Sequence, residues 1–354
     1  MRMNGRYKIT SIKLRVKNNL YLDLSLVVVK IGIVIIGRNE GERLRQCLYS
    51  VHEETNRIVY VDSGSTDGSV ELARSFSVEV VELDLSIAFT ASRARNAGFD
   101  RLLKVYPELE FVQFVDGDCE VVSGWLETAY QTLINHPEIA VVCGRRRERF
   151  PDASIYNRLC DLEWNTPIGD AKACGGDAMM RVVAFRQVEG FNSKLIAGEE
   201  PELCYRLRQQ GWKIWRLDVE MTLHDADMKR FNQWWKRNVR AGHAYAEVAS
   251  LYGKEPERYW VKETISNWLW GGMLPTLIVF SSWWTHGLSL FLLVAYPVLI
   301  YKIYRYQQEF SSYQIAILYA VFCVIGKIPN AIGQGKFQFN QFLFRSTNII
   351  EYKA

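Results

Sequence analysis

The run Phe111–Glu120, FVQFVDGDCE, constrains this chain more than any other: an apolar stretch ends abruptly in two carboxylates separated by one glycine. Phe111, Val112, Phe114 and Val115 predict a buried strand, because a short β-branched and aromatic run bounded by a glycine turn suits a sheet interior. Asp116 and Asp118 then fall at its carboxyl end, the edge at which open α/β sheets bind ligands. Two carboxylates held close together repel unless a cation or hydrogen-bond donors compensate. Mg²⁺ or Mn²⁺ takes oxygen ligands and shares its shell with substrate phosphates, so the pair points to a divalent cation and a phosphate-bearing substrate together. An isolated Asp-Gly-Asp also suits a plain solvated turn, so the remaining segments must decide.

The chain of 354 residues is long enough for one large domain with an appendage, or for two domains. Its net charge of +4 suits an anionic membrane surface or a polyanionic substrate better than nucleic acid, which is not expected as a partner. The seven cysteines are scattered without any C-x-x-C, which implies a reduced, cytosol-facing compartment and no structural zinc. Residues 1–30 form a basic tail without the pattern of a signal peptide.

From residue 31 onward, strand and helix alternate. Ile31–Ile36 predicts a strand, followed by Gly37-Arg38-Asn39-Glu40 and a helix that buries Leu44, Cys47, Leu48 and Val51. Arg57–Val61 predicts a second strand, and the small and capping residues of Asp62–Ser69 lead into a helix through Phe76. Asp62 thus falls on the same sheet edge as Asp116. After a strand over Val78–Leu83, Thr90 caps a helix displaying Arg93, Arg95 and Asn96. This spacing predicts a mostly parallel sheet with helices on both faces, and the absence of a GxGxxG loop argues against a dinucleotide fold. Arg145-Arg146-Arg147 reads as a solvated strand end ahead of its alternative, a phosphate or acceptor contact, and Cys174–Met180 has the composition of a binding loop.

Gly198-Glu199-Glu200-Pro201 opens a helix, so both acids lie at a helix amino end where free amides favour the ionised carboxylate a general base needs. His224, after a strand and among Asp225 and Asp227, is a candidate for a metal or diphosphate contact. The last quarter holds three apolar segments, Asn267–Trp284, Leu288–Tyr301 and Tyr313–Ile325, with Trp and Tyr near their ends. The first two predict a hairpin turning at Thr285-His286-Gly287. A third crossing would put Lys327, Lys336, Arg345 and Lys353 on the wrong side for the positive-inside rule, so that segment, interrupted by Pro329, is expected to be re-entrant or interfacial, with an odd number of crossings as the alternative. The expected division is a tail over 1–30, a catalytic domain over 31–255 and membrane-associated helices over 256–354.

Over roughly residues 31–245 the chain resembles the family 2 glycosyltransferases of the GT-A fold. The resemblance is carried by IGRNE after the first strand, VDSGSTDGS after the second, the ASRARNAG helix, DGD in the place of the family's DXD motif, and GEEPELCYRLRQQGW in the place of its ED-containing segment. It implies an α/β nucleotide-sugar-binding fold followed by a hydrophobic helical membrane region. The implied activity is inverting, metal-dependent transfer of a sugar from a nucleotide-sugar donor to a hydroxyl of a lipid-linked or saccharide acceptor. Such transfer belongs to polysaccharide or glycolipid assembly at the cytoplasmic face of a membrane. Asp62 would accept from the nucleobase with Asn39 and Glu40 beside it, and Arg95 would face the nucleotide or diphosphate. Asp116 and Asp118 would hold the nucleotide-bound ion, Asp118 ahead of Asp116 as direct ligand. Glu200 stands where the family has an Asp as general base, and its extra methylene leaves that role open between Glu200 and Glu199. Gln233–Arg237 only loosely echoes the QxxRW motif of processive members. Two other readings are a catalytically silent scaffold, which would be expected to have lost an acid at 116, 118 or 200, and a sugar-nucleotide pyrophosphorylase, which would need a Gly-rich basic loop after the first strand.

Overall fold

The computed structural model describes residues 30–343, so the basic tail before Lys30, together with Arg345 and Lys353, lies outside the described residues. A nine-stranded sheet in the order β3-β2-β1-β4-β8-β6-β9-β5, with β7 added on β9, forms the catalytic core. Its first half is the strand–helix alternation read from the sequence: β1 (Ile31–Gly37), α1 (Glu42–His52), β2 (Ile58–Asp62), α2 (Ser69–Ser75), β3 (Glu79–Glu82), α3 (Ala91–Val105) and β4 (Phe111–Asp116). All pairings among β1 to β4 are parallel. Thr90 caps α3 as expected, its side chain accepting from the Arg93 N–H.

Beyond β4 the sheet is mixed rather than mostly parallel. The short β5 (Cys119–Val121) is followed by α4 (Trp125–Asn135), β6 (Ile139–Glu148), α5 (Ile155–Glu163) and β7 (Gly169–Asp170). β8 (Ala178–Arg181) runs antiparallel to both β4 and β6. The physical reason is where the chain travels. After β6 it stays at the ligand-binding edge through α5 and the 171–177 loop, so it can re-enter the sheet only from that edge, in the reverse direction. α6 (Val182–Gln187) and α7 (Glu199–Gln209) lead to β9 (Lys213–His224), which pairs in parallel with β6 and antiparallel with β5. β4 is buried on both faces, as are most of β1 and β2, which is why they read as continuous apolar runs.

α8 (Phe231–Tyr252) crosses the ligand-binding edge and carries the C-terminal helices. α9 (Val261–Asn267) continues through a π-turn over Trp268–Met273 into α10 (Leu274–Ser282). The chain then turns at His286 and Gly287, both with positive φ, into a 3₁₀ segment (Leu288–Val294) and α11 (Ala295–Gln307). Ser289 Oγ donates to the Ile278 carbonyl and Tyr296 to that of Trp270, so the two arms form the expected hairpin. α12 (Tyr313–Ile325) and α13 (Lys327–Phe342) follow. Pro329 does not interrupt them: it occupies the first turn of α13, where its missing N–H costs little. Among the described residues, two stretches are long and apolar enough to cross a membrane, Leu288–Gln307 and Tyr313–Phe342.

α13 lies against α8 at backbone contact. A Cβ on Gly242 would overlap the Asn330 carbonyl oxygen, and one on Gly333 the Val239 carbonyl oxygen. Gly333→Val is therefore expected to destabilise the protein by at least the ~1–3 kcal/mol typical of overpacking, since backbone cannot rotate out of the way. Thermal unfolding in detergent measures this, and an unchanged midpoint would show that α13 does not sit on α8 in solution.

Candidate active site

β4 delivers Asp116 to the sheet edge, and the Gly117 N–H donates to the Ile36 carbonyl, 2.8 Å, turning the chain tightly enough to bring Asp118 back to the same edge. β5 then pairs with the end of β9 so that Cys119 lies opposite His224. This register sets His224 Nε2 3.2 Å from Asp118 Oδ2. On its other side His224 Nδ1 lies 3.8 Å from Glu148 Oε2 at the end of β6, and the ring meets Trp164 edge-on at 4.7 Å. The buried Nδ1 has no hydrogen-bond partner among the described residues. Asp118, Cys119 and His224 bring one ligand atom each within 4.8 Å of one another. A carboxylate and an imidazole meeting beside a second carboxylate form a donor set that fits a divalent cation, Mn²⁺ more readily than Mg²⁺ because of the nitrogen ligand.

Arg95, one turn into α3, is buried to 2% exposure. Its Nη2 donates to Asp116 Oδ1 at 2.6 Å and its Nη1 to Glu199 Oε1 at 2.9 Å. Burial works against the guanidinium charge, but Asp116 and Glu199 outweigh it and hold the pKa above the ordinary arginine value. Gly98 makes this reach possible, because a Cβ there would overlap Val34 and Val61 and push α3 off the sheet.

The three arginines after Cys143 separate by strand alternation, so the solvated reading holds for two of them only. Arg145 bonds Asn165 and Arg147 bonds Asp161 at the protein surface. Arg146 turns inward, its Nη2 3.0 Å from Asp177 Oδ2 and 3.9 Å from Asp116 Oδ2. Asp177, fully buried, accepts from the Asp116 backbone N–H and from Thr222 Oγ1, which ties the aspartate turn to β8 and β9. Only a period of two could have singled out Arg146, and composition alone gave no sign of it.

The two glutamates at the start of α7 point to different places. Glu199 lines the cleft beside Arg95. Glu200 is buried behind it, accepting from the Cys174 N–H and from Cys204 Sγ. Burial pushes the Glu200 carboxyl pKa up, partly countered by those bonds. The other residues singled out from the sequence lie on the β1–β2 side. Asp62 receives bonds from Tyr60, from Ser65 Oγ and from the Gly64 and Ser65 N–H groups, which occupy its carboxylate. Asn39, at positive φ, accepts from Thr66 N–H and so links the loops after β1 and β2. Glu40 pairs with Arg43 at 2.9 Å and lines the cleft. The cleft itself, about 620 Å³, runs from Glu40 and Phe89 past Asp116, Asp118, Arg146 and His224 to Glu199, closed by Arg237, Arg240 and Tyr245 of α8.

Residues 32–186 match the family model described as glycosyl transferase family 2. The matched segment is a family 2 glycosyltransferase domain. This glycosyltransferase is 24% identical to "Glycosyltransferase AglE" of Haloferax volcanii over 258 residues, 69% of this chain and 81% of that one. It is 26% identical to the "Succinoglycan biosynthesis protein ExoA" of Rhizobium meliloti, covering 55% of this chain and 61% of the relative. Among solved structures, a mannosyltransferase from Pyrobaculum calidifontis superposes with a TM-score of 0.52 at 14% identity over 88% of each chain, a likeness in fold.

Because the Glu200 pKa lies above its ordinary 4.5, the folded enzyme keeps a proton that the unfolded chain releases, and stability falls as pH rises through that interval. Glu200→Gln retains an oxygen acceptor for Cys174 and cannot titrate. The variant is expected to gain stability relative to the wild type between about pH 4 and about pH 8. Urea denaturation at both values measures it, and a difference independent of pH would show that Glu200 is not buried.

Proposed function

We propose that this glycosyltransferase is inverting and metal-dependent, moving a sugar from a nucleotide-sugar donor to a hydroxyl of a lipid-linked or saccharide acceptor. The observation that carries the reading is the Arg95 bridge: one buried guanidinium joins Asp116, at the metal and diphosphate end of the cleft, to Glu199 across it. Asp118 and His224, with Asp116, are the residues to hold Mg²⁺ or Mn²⁺. When bound, the cation supplies positive charge at the departing diphosphate. Arg146 adds a fixed positive charge beside Asp116. Glu40, with Asn39 and Asp62 ordering the two loops next to it, frames the nucleotide side of the cleft.

Glu199, rather than Glu200, is the general base, because it is the glutamate that lines the cleft. Its carboxylate takes the acceptor hydroxyl proton as that oxygen bonds to the anomeric carbon on the face opposite the diphosphate. The anomeric C–O bond breaks, the nucleoside diphosphate leaves with the electron pair, and the centre inverts. The Pyrobaculum enzyme was solved with GDP-Man and Mn²⁺, and the names of AglE and ExoA speak of glycosyl transfer and of succinoglycan biosynthesis, which supports the donor class and a place in polysaccharide or glycoconjugate assembly.

The catalytic domain spans 31–255 and the helices of 256–354 hold it at the cytosolic face of a membrane. Support comes from the apolar surface of the hairpin, where Trp283 is 84% and Phe291 74% exposed, a cost in water that a bilayer removes. The stretch Tyr313–Phe342 is long enough to cross a bilayer, but its second half, α13, is held on α8, which supports a re-entrant or interfacial third segment rather than a full crossing.

Release of nucleoside diphosphate from a panel of nucleotide sugars, by detergent-purified protein with Mn²⁺ or with chelator, tests the reading. Asp118→Ala and Glu199→Gln are each expected to lower turnover by about 10²-fold or more, with Glu200→Gln largely active. Activity that survives Glu199→Gln and is lost in Glu200→Gln would return the base to Glu200. A folded protein inactive on every donor, with lipid acceptors supplied, would favour the silent scaffold.

A further inference from the structure

A second cavity, about 690 Å³, opens between the catalytic domain and the C-terminal helices. Glu163, Asn238, Tyr245 and Asn330 line both it and the catalytic cleft, so the two spaces adjoin across these residues. Away from the cleft its walls become aromatic: Trp234 of α8, Tyr306 of α11, and Tyr319 and Phe322 of α12. Two lysines also line it, Lys302 near the end of α11 and half-buried Lys327 at the start of α13. Lys327 Nζ donates to the neutral Asn267 amide at 3.0 Å, and neither lysine forms an ion pair with a carboxylate among the described residues. Of the two acids in the wall, Glu163 is matched to Arg237 at 2.6 Å, and Glu263 is exposed to solvent. Glu263 acts on Lys327 only as a nearby charge, so a half-buried ammonium without a carboxylate in direct contact faces the cavity and gains from an anionic ligand.

We infer that this cavity receives the phosphate of a lipid-phosphate carrier bearing the acceptor, with Lys327 and Lys302 binding the phosphate and the aromatic wall taking the first part of the chain. The inference rests on the transferase reading above and specifies its acceptor class. The geometry suits an amphiphile. A reacting hydroxyl would sit by Glu199, the anionic linkage by the lysines beyond the shared wall, and the apolar chain would leave along α11 and α12, which border the cavity. A water-soluble saccharide would use none of the aromatic wall, and a free phosphate would use only the lysines.

The test is equilibrium binding of geranylgeranyl phosphate to the full chain in detergent, followed by tryptophan fluorescence because Trp234 lines the cavity. Geranylgeraniol, inorganic phosphate and phosphatidylglycerol serve as comparison ligands, and binding of Mn²⁺ with nucleoside diphosphate is measured in parallel. The expected result is binding of the prenyl phosphate that weakens about tenfold in Lys327→Gln, the loss of one charge-assisted hydrogen bond, and returns in Lys327→Arg. Nucleotide binding stays unchanged in both variants, which also reports that they fold. Equal binding of the prenyl phosphate by wild type and Lys327→Gln, or equal competition by the neutral alcohol, by inorganic phosphate or by phosphatidylglycerol, would overturn the inference. Nucleotide binding retained while the prenyl phosphate fails to bind sinks the carrier site alone, whereas a wild type that binds no nucleotide sinks the transferase reading beneath it.

Discussion

A guanidinium cannot be buried without partners, and the pairing of Arg95 with Asp116 and Glu199 is the constraint on which the arrangement of this enzyme depends. Each partner comes from a different part of the fold: Arg95 from α3, Asp116 from the end of β4, Glu199 from the start of α7. Removing Arg95 would take the shared partner from both carboxylates, at the cost of about 3–5 kcal/mol that goes with breaking a buried pair, whereas removing either carboxylate leaves Arg95 paired with the other. The triad therefore couples the width of the cleft to the packing of α3 on the sheet. Gly98 belongs to the same constraint although it touches no ligand, because without it α3 could not come close enough for Arg95 to reach.

The second half of the sheet serves the site through its irregularity. β8 enters from the ligand-binding edge, which puts Asp177 behind the aspartate turn, where it fixes the Asp116 backbone and meets Arg146. The ends of β6 and β9, paired side by side, set Glu148 and His224 together, and β5 brings Asp118 to them. An all-parallel continuation would have carried the chain to the far edge after each strand and left these groups apart.

The C-terminal helices are as much a wall of the site as an appendage to it. α8 contributes Arg237, Arg240 and Tyr245 to the cleft, and α13 contributes Asn330 through a crossing so close that glycines stand at both contact points. Movement of these helices would be felt at the cleft directly.

The sequence by itself determined the aspartate turn at the end of a buried strand, the alternation through β4, the cap at Thr90 and the apolar hairpin, because each is written in residues adjacent along the chain. Periodicity, capping chemistry and turn composition are local physics. Tertiary structure alone decided that Arg146 faces inward while its neighbours do not, that Glu199 and not Glu200 lines the cleft, and that His224 meets Asp118. It also decided that Pro329 starts a helix docked on α8. Those outcomes depend on strand register, on the rotation of a helix about its axis and on the direction from which β8 re-enters the sheet. Such quantities are set by contacts between residues far apart in the chain, and no local pattern encodes them.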